Sequence, residues 1–108
     1  MNRNRVWLRF MRERLERLDA CVSAGRAVFL SDVLLQDAAV RNLQVLANTS
    51  ERISYDLLDR HPEVKWPWLH ALRNMLVHEP LNIDPAWLWD CLEFDLPALR
   101  QALEALLL

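Results

Sequence analysis

Leu8, Met11, Leu15, Leu18 and Val22 follow one another at steps of three and four residues. That spacing tracks the turn of an α-helix, so these side chains make one apolar stripe that must be covered by other elements. The same period returns in Ala39, Leu43, Leu46, Ser50, Ile53 and Leu57. A third stretch, with Trp66, Trp68, Leu69, Leu72, Met75 and Leu76, is apolar over much of its girth. The chain has one glycine and five prolines, too few for a succession of hairpins. Leu, Ala, Arg and Glu dominate, and all favour helix. The expected fold is all-α: an up-and-down bundle of about five helices forming a single domain over residues 1–108.

Punctuation residues place the helices. The first is expected over residues 3–24, with Trp7 and Phe10 widening its stripe and Gly25 stopping it. Phe29-Leu30 follows, and Ser31 and Asp32 are candidate N-caps for a second helix reaching residue 58. Asp37, Arg41, Gln44, Asn48 and Arg52 give that helix a polar face, which suits plain solvent, a site lining or a subunit contact. Pro67 fits the first turn of a third helix over residues 67–78, and Pro80 ends it. Asp84-Pro85 reads as N-cap and first helical residue of a fourth helix ending near residue 94. Asp95-Leu96-Pro97 opens a short fifth helix that carries Leu99, Leu103 and Leu106.

Apolar residues make up 53% of the chain, which excludes disorder. A net charge of −2 argues against a protein that coats DNA. The charge is nevertheless uneven. Arg3, Arg5, Arg9, Arg12, Arg14 and Arg17 crowd the first helix, whereas Arg100 is the sole base beyond Glu79. This polarity suits a basic face for RNA or an acidic partner, or a solvated face with local pairs such as Glu13–Arg17 and Arg12–Glu16. Cys21 and Cys91 have no metal-ligand spacing and read as buried thiols in a reducing compartment. No apolar run reaches the length of a membrane span, and no secretory signal is apparent. The expected location is therefore cytoplasmic.

Arg73-Asn74-Met75-Leu76-Val77-His78 closes the third helix and is the main chemical signal. Arginine grips phosphate through two parallel hydrogen bonds, and imidazole exchanges protons near neutral pH. RNA cleavage without a metal needs both: proton transfer from the ribose 2′-hydroxyl and to the leaving 5′ oxygen, and stabilisation of charge on the phosphate. Asn74 lies one turn before His78 on the same helix face and can orient the imidazole or touch ribose. The last helical turn also favours a protonated imidazole. An Arg-x4-His spacing by itself is short enough to arise by chance, and a histidine at a helix end is commonly a capping group. His61 takes that structural reading, and His70, three residues before Arg73, is a candidate supporting residue. Arg41 and the arginines of the first helix are candidates for steering RNA through its phosphates. Trp66, Trp68, Trp87 and Trp89 suit a core or subunit interface, with base stacking as the sharper alternative.

Several separated signatures lie in register with that motif. They are Phe29-Leu30, Gln36-Asp37-Ala38-Ala39-Val40-Arg41-Asn42, Trp66, Arg73-Asn74 through His78, Ile83-Asp84, Trp89 and Asp95-Leu96-Pro97-Ala98-Leu99. In that order, and over nearly the whole chain, they resemble the HepT-like branch of the HEPN superfamily. The resemblance implies an all-helical, usually homodimeric, metal-independent ribonuclease with no cofactor. It further implies the toxin half of a toxin–antitoxin pair, with a minimal nucleotidyltransferase as antitoxin. Arg73 and His78 match the family's catalytic Arg and His, and Asn74 the polar residue between them. Two such sites would face each other in one cleft across the dimer.

The chain departs from the family pattern at two places. Where HepT toxins commonly carry a tyrosine that the antitoxin modifies with AMP, this chain has Pro80, and its single tyrosine is Tyr55. Where a Gly-Glu-Ala is usual in the second helix, Ala47-Asn48-Thr49 stands, so Asn48 would support the site only as a neutral group. Two further readings follow. One is a non-catalytic helical partner or substrate-binding subunit of a nucleotidyltransferase. The other is a helical dimer whose Arg73 and His78 only satisfy helix-end groups.

Overall fold

Residues 3–78 and 83–108 are described by the computed structural model, His78 through its backbone alone. Arg3–Val22 forms α1, and its stripe of Leu8, Met11, Leu15 and Leu18 is buried. The helix ends two residues before the expected limit. Gly25 then takes φ +96°, a left-handed value open to glycine at little cost, and its N–H donates to the Val22 carbonyl at 3.0 Å. Arg26–Ser31 forms a short helix, α2, that the sequence periodicity did not reveal. It is too brief for a 3.6-residue pattern to declare itself, but it buries Phe29 completely.

Val33–Ser50 forms α3, capped by Asp32, whose Oδ1 accepts from the N–H groups of Leu34 at 2.9 Å and Leu35 at 3.3 Å. The helix stops at Ser50 rather than near residue 58. Thr49 and Ser50 turn their hydroxyls back onto the carbonyls of Val45 and Ala47, an arrangement that competes with helix propagation. The chain is then held toward α1, because the Ser54 N–H donates to the Asn4 Oδ1 at 3.1 Å. Ile53 stays in the core, so the apolar period survives the break while the helix does not. Tyr55–Leu58 forms a single turn, α4.

Trp66–His78 forms α5. Trp66 is buried at its start, with Nε1 donating to the Leu58 and His61 carbonyls at 2.9 and 3.1 Å. Pro85–Asp90 forms α6, with Asp84 capping as expected: its Oδ1 accepts from the Ala86 N–H at 2.9 Å. The expected break at Asp95 is absent. Cys91–Asp95 is instead a π-helical turn that runs straight into α7, Leu96–Leu106. Pro97 explains the wider turn, because it has no N–H to donate to the Glu93 carbonyl and its ring would crowd that oxygen.

The architecture is all-α among the described residues, and the bundle centres on α3. Helix α1 packs along one side of α3, α5 packs along another, and α7 rests on α1. Met11, Leu15, Leu43, Leu46, Leu76 and Leu103 are fully shielded between them. Trp68, Trp87 and Trp89 pack against this core, and Trp89 also meets Phe29 at 5.6 Å between ring centroids. These tryptophans, with Trp66, are core residues. No described helix is long and apolar enough to cross a membrane.

Candidate functional site

Because α1 and α5 both lie against α3, the exposed side of α3 becomes the floor of a groove with the other two helices as walls. Arg41, Gln44, Val45, Asn48 and Thr49 of α3 line it, together with Arg52 just beyond the helix. Trp7 and Phe10 close one side and Arg73 and Val77 the other, around a volume of about 440 Å³. The floor has a sequence logic. Arg41, Gln44, Asn48 and Arg52 recur at three- and four-residue steps, parallel to the buried stripe of Leu43, Leu46, Ala47 and Ser50. Of the five residues on the expected polar face, Arg41, Gln44 and Asn48 within α3 and Arg52 beyond it thus face a concave surface.

The electrostatics of the groove are one-sided. Arg41, Arg52 and Arg73 all reach it, and none has a carboxylate partner within 4.0 Å among the described residues. Other arginines are engaged elsewhere. Arg17 pairs with Glu13 at 3.1 Å, and Arg100 with Asp19 at 2.6 Å. Arg5 donates to the Leu107 carbonyl at 3.0 Å. The expected Arg12–Glu16 pair does not form. Unpaired guanidinium groups along one hollow make a surface suited to a polyanion.

Arg73 is half-buried and its Nη1 donates to the Asn74 Oδ1 at 3.3 Å, although the two residues point about 100° apart around the helix axis. Asn74 itself is exposed. The α5 backbone continues in helical form through His78, whose side chain lies outside the described residues, as does the whole of Pro80. Asn48 and Arg41 share the groove with Arg73, whereas His70 does not line it. The His70 Nε2 is buried without a hydrogen-bond partner among the described residues. No group of three or more His, Cys, Asp or Glu among the described residues has the arrangement of a metal site.

Gln44, which the sequence places on the polar face without a role of its own, is a groove residue. Its Nε2 donates to the Leu76 carbonyl at 2.9 Å, joining the floor to the last turn of α5. Trp7 and Phe10, expected in the core, are also groove residues. The Arg52 guanidinium sits 4.8 Å from the centre of the Trp7 ring, and that of Arg14 sits 4.6 Å from the centre of the Phe10 ring. Their spacing puts both aromatics beside the apolar stripe, but only the packing of the helices shows that each stays partly exposed.

The family model for HepT-like ribonucleases matches residues 11–106, a span that holds α3, α5 and nearly all of the groove. The chain belongs to the HepT-like ribonuclease family. Curated relatives agree. A protein of Thermococcus cleftensis named for ribonuclease HepT is 32% identical over 78 residues, covering 72% of this chain and 71% of that one. A protein of Methanocaldococcus jannaschii named for RNase activity is 29% identical over 76 residues, covering 70% of each chain. A second protein from the same archaeon, named likewise, is 21% identical over 102 residues, covering 91% of this chain and 84% of the other. No solved structure matches the chain.

Proposed function

We propose that this HepT-like chain is a metal-independent endoribonuclease, active as a homodimer, and the toxin half of a pair with a minimal nucleotidyltransferase. The observation that carries the reading is the Arg73 side chain. It sits in a groove with Arg41 and Arg52, on the helix whose last residue is His78. In this mechanism the ribose 2′-hydroxyl attacks the adjacent phosphorus, the bond to the 5′ oxygen breaks, and a 2′,3′-cyclic phosphate remains. Arg73 holds the non-bridging oxygens and offsets the charge that grows on them. His78 carries the proton, with a rate contribution on the order of 10²–10⁴. Asn74, hydrogen-bonded to Arg73, keeps the guanidinium oriented. Arg41 binds a neighbouring phosphate, and Asn48 takes the position of the family's glutamate as a neutral group.

A second copy would set its own Arg73 and His78 opposite these, making one composite cleft. Val77 at 52% and Met75 at 36% exposure give α5 apolar surface for such a contact. Pro80 carries no hydroxyl to accept AMP, so an antitoxin would neutralise this chain by binding rather than by tyrosine modification. The unpaired, buried thiols of Cys21 and Cys91 suit the reducing cytoplasm.

The test is an assay of purified protein on total tRNA and mRNA with EDTA present. Wild type cleaves, and His78→Ala does not. Cleavage that persists in His78→Ala overturns the assignment. Pro80 also favours one competing reading, a non-catalytic subunit of a nucleotidyltransferase. Co-purification with such an enzyme, with no cleavage of any RNA, would establish it instead.

A further inference from the structure

We propose that Trp7 and Arg52 form a nucleobase platform, so that the groove accepts an unpaired RNA nucleotide next to the phosphate held by Arg73. The inference rests on the ribonuclease reading for the identity of the ligand, and its test separates the two. Trp7 comes from α1 and Arg52 from the turn after α3, and their contact at 4.8 Å lies on the groove wall. Phe10, the other groove aromatic, is occupied differently. The guanidinium over its ring belongs to Arg14, whose side chain is only 15% exposed and whose Nη1 donates to the buried Asn42. That pair is a fixed wall. Arg52 is exposed and forms no ion pair among the described residues, so it can shift or be stacked upon without breaking the core.

Bases stack both on aromatic rings and on guanidinium planes, and such a platform reaches only bases that are not already paired within a helix. The rest of the groove fits a nucleotide. Arg41 on the floor and Arg73 on the α5 wall supply cations for flanking phosphates. Asn48 shares the groove, and its side-chain amide makes no hydrogen bond among the described residues, leaving a donor and an acceptor for a base edge. A protein partner is the weaker fit, because it would have to bury three guanidinium groups that lack carboxylate partners here.

The experiment is fluorescence anisotropy with a 2′-O-methyl oligoribonucleotide, which lacks the attacking hydroxyl and is not cleaved. It is used single-stranded, annealed to its complement, and in an abasic form of equal length. Single-strand affinity should fall about tenfold or more in Trp7→Ala and in Arg52→Ala, and stay within about threefold of wild type in Trp7→Phe. Duplex affinity should be equal in wild type, Trp7→Ala and Trp7→Phe and should fall in Arg52→Ala less than single-strand affinity does, and the abasic strand should bind wild type as weakly as the intact strand binds Trp7→Ala. Arg52 is exposed, so Arg52→Ala decides the matter if Trp7→Ala fails to fold. Unchanged single-strand affinity in Arg52→Ala and Trp7→Phe together with equal affinity for abasic and intact strands overturns the platform. So does a Trp7→Ala protein whose mass by light scattering drops while binding per subunit is kept, which would make this surface a subunit contact. Platform-dependent binding with no cleavage of natural RNA would sink the nuclease reading alone. Cleavage with no dependence on Trp7 or Arg52 would sink the platform alone.

Discussion

The side chain of Gln44 donates from Nε2 to the carbonyl of Leu76 at 2.9 Å. In an unbroken helix that carbonyl would accept the N–H four residues on, but residue 80 is a proline and has none. One helix therefore completes the hydrogen bonding of another at the turn that carries the proposed chemistry. Gln44→Leu keeps most of the volume and removes the donor. It should cost about 1–3 kcal/mol, lowering the melting temperature by roughly 5 °C or more. It should also lower kcat more than it raises KM, since the end of α5 loses its anchor. Circular dichroism melts and steady-state cleavage check both, and a variant that melts and cleaves like wild type would discount the anchor.

Arg73 separates a catalytic role from a structural one. It is half-buried and has no ion pair among the described residues, so Arg73→Ala should change stability by only about 0.5 kcal/mol. Loss of a preorganised donor to the phosphate should lower kcat/KM by about 10²–10³-fold. Arg73→Lys should recover only part of that loss, because an ammonium cannot make the forked contact. A large drop in melting temperature, with no cleavage by the wild type to compare, would point to a helix-end role.

Gly25 isolates a backbone effect. Its φ is +96°, and nothing lies within 4 Å of where a Cβ would sit. Gly25→Ala therefore meets no obstacle from other residues, and its penalty comes from its own backbone, whose φ +96° and ψ 170° suit essentially glycine alone. That penalty should be about 1–3 kcal/mol, read from urea unfolding. A neutral result would mean that the turn between α1 and α2 relaxes to another conformation.

Cys91 makes stability depend on alkaline pH. Burial pushes its thiol from 9.0 up to about 12, with Asp95 and Asp90 adding to the shift. The raised value means that the folded chain holds the proton more tightly than the unfolded one. The associated stability is complete below pH 9.0 and is lost as pH rises toward about 12. Unfolding free energy measured by urea at pH 8 and pH 10 should fall across that interval, and Cys91→Ala should flatten the fall. Native protein should also react slowly with a thiol reagent at pH 8, since Cys21 is likewise buried with a raised value.

Much of this fold is legible in local sequence. The stripes in α1, α3 and α5, the caps at Asp32 and Asp84, and the helix-starting prolines are local instructions. Each acts within one or two turns of its own position. The end of α3 was not legible, because the apolar period runs on through Ile53 and Leu57 after the helix has stopped. What stops it includes a hydrogen bond from Ser54 to Asn4, a residue 50 positions away. The short α2 and the π-helical junction have no local signature for related reasons. One is shorter than a readable period, and the other is a compromise that keeps α7 aligned past a proline.

The chain by itself determined that it would be helical, which faces would be apolar, and that Arg73 and His78 would share the last turns of one helix. Tertiary structure decided what those faces meet. Arg41, Asn48 and Arg73 come together with Trp7 and Arg52 only because α1 and α5 leave one flank of α3 uncovered. A periodic pattern encodes direction around a single helix axis. Where two other helices cease to shield that axis depends on how all three pack, and no local stretch of residues contains that information.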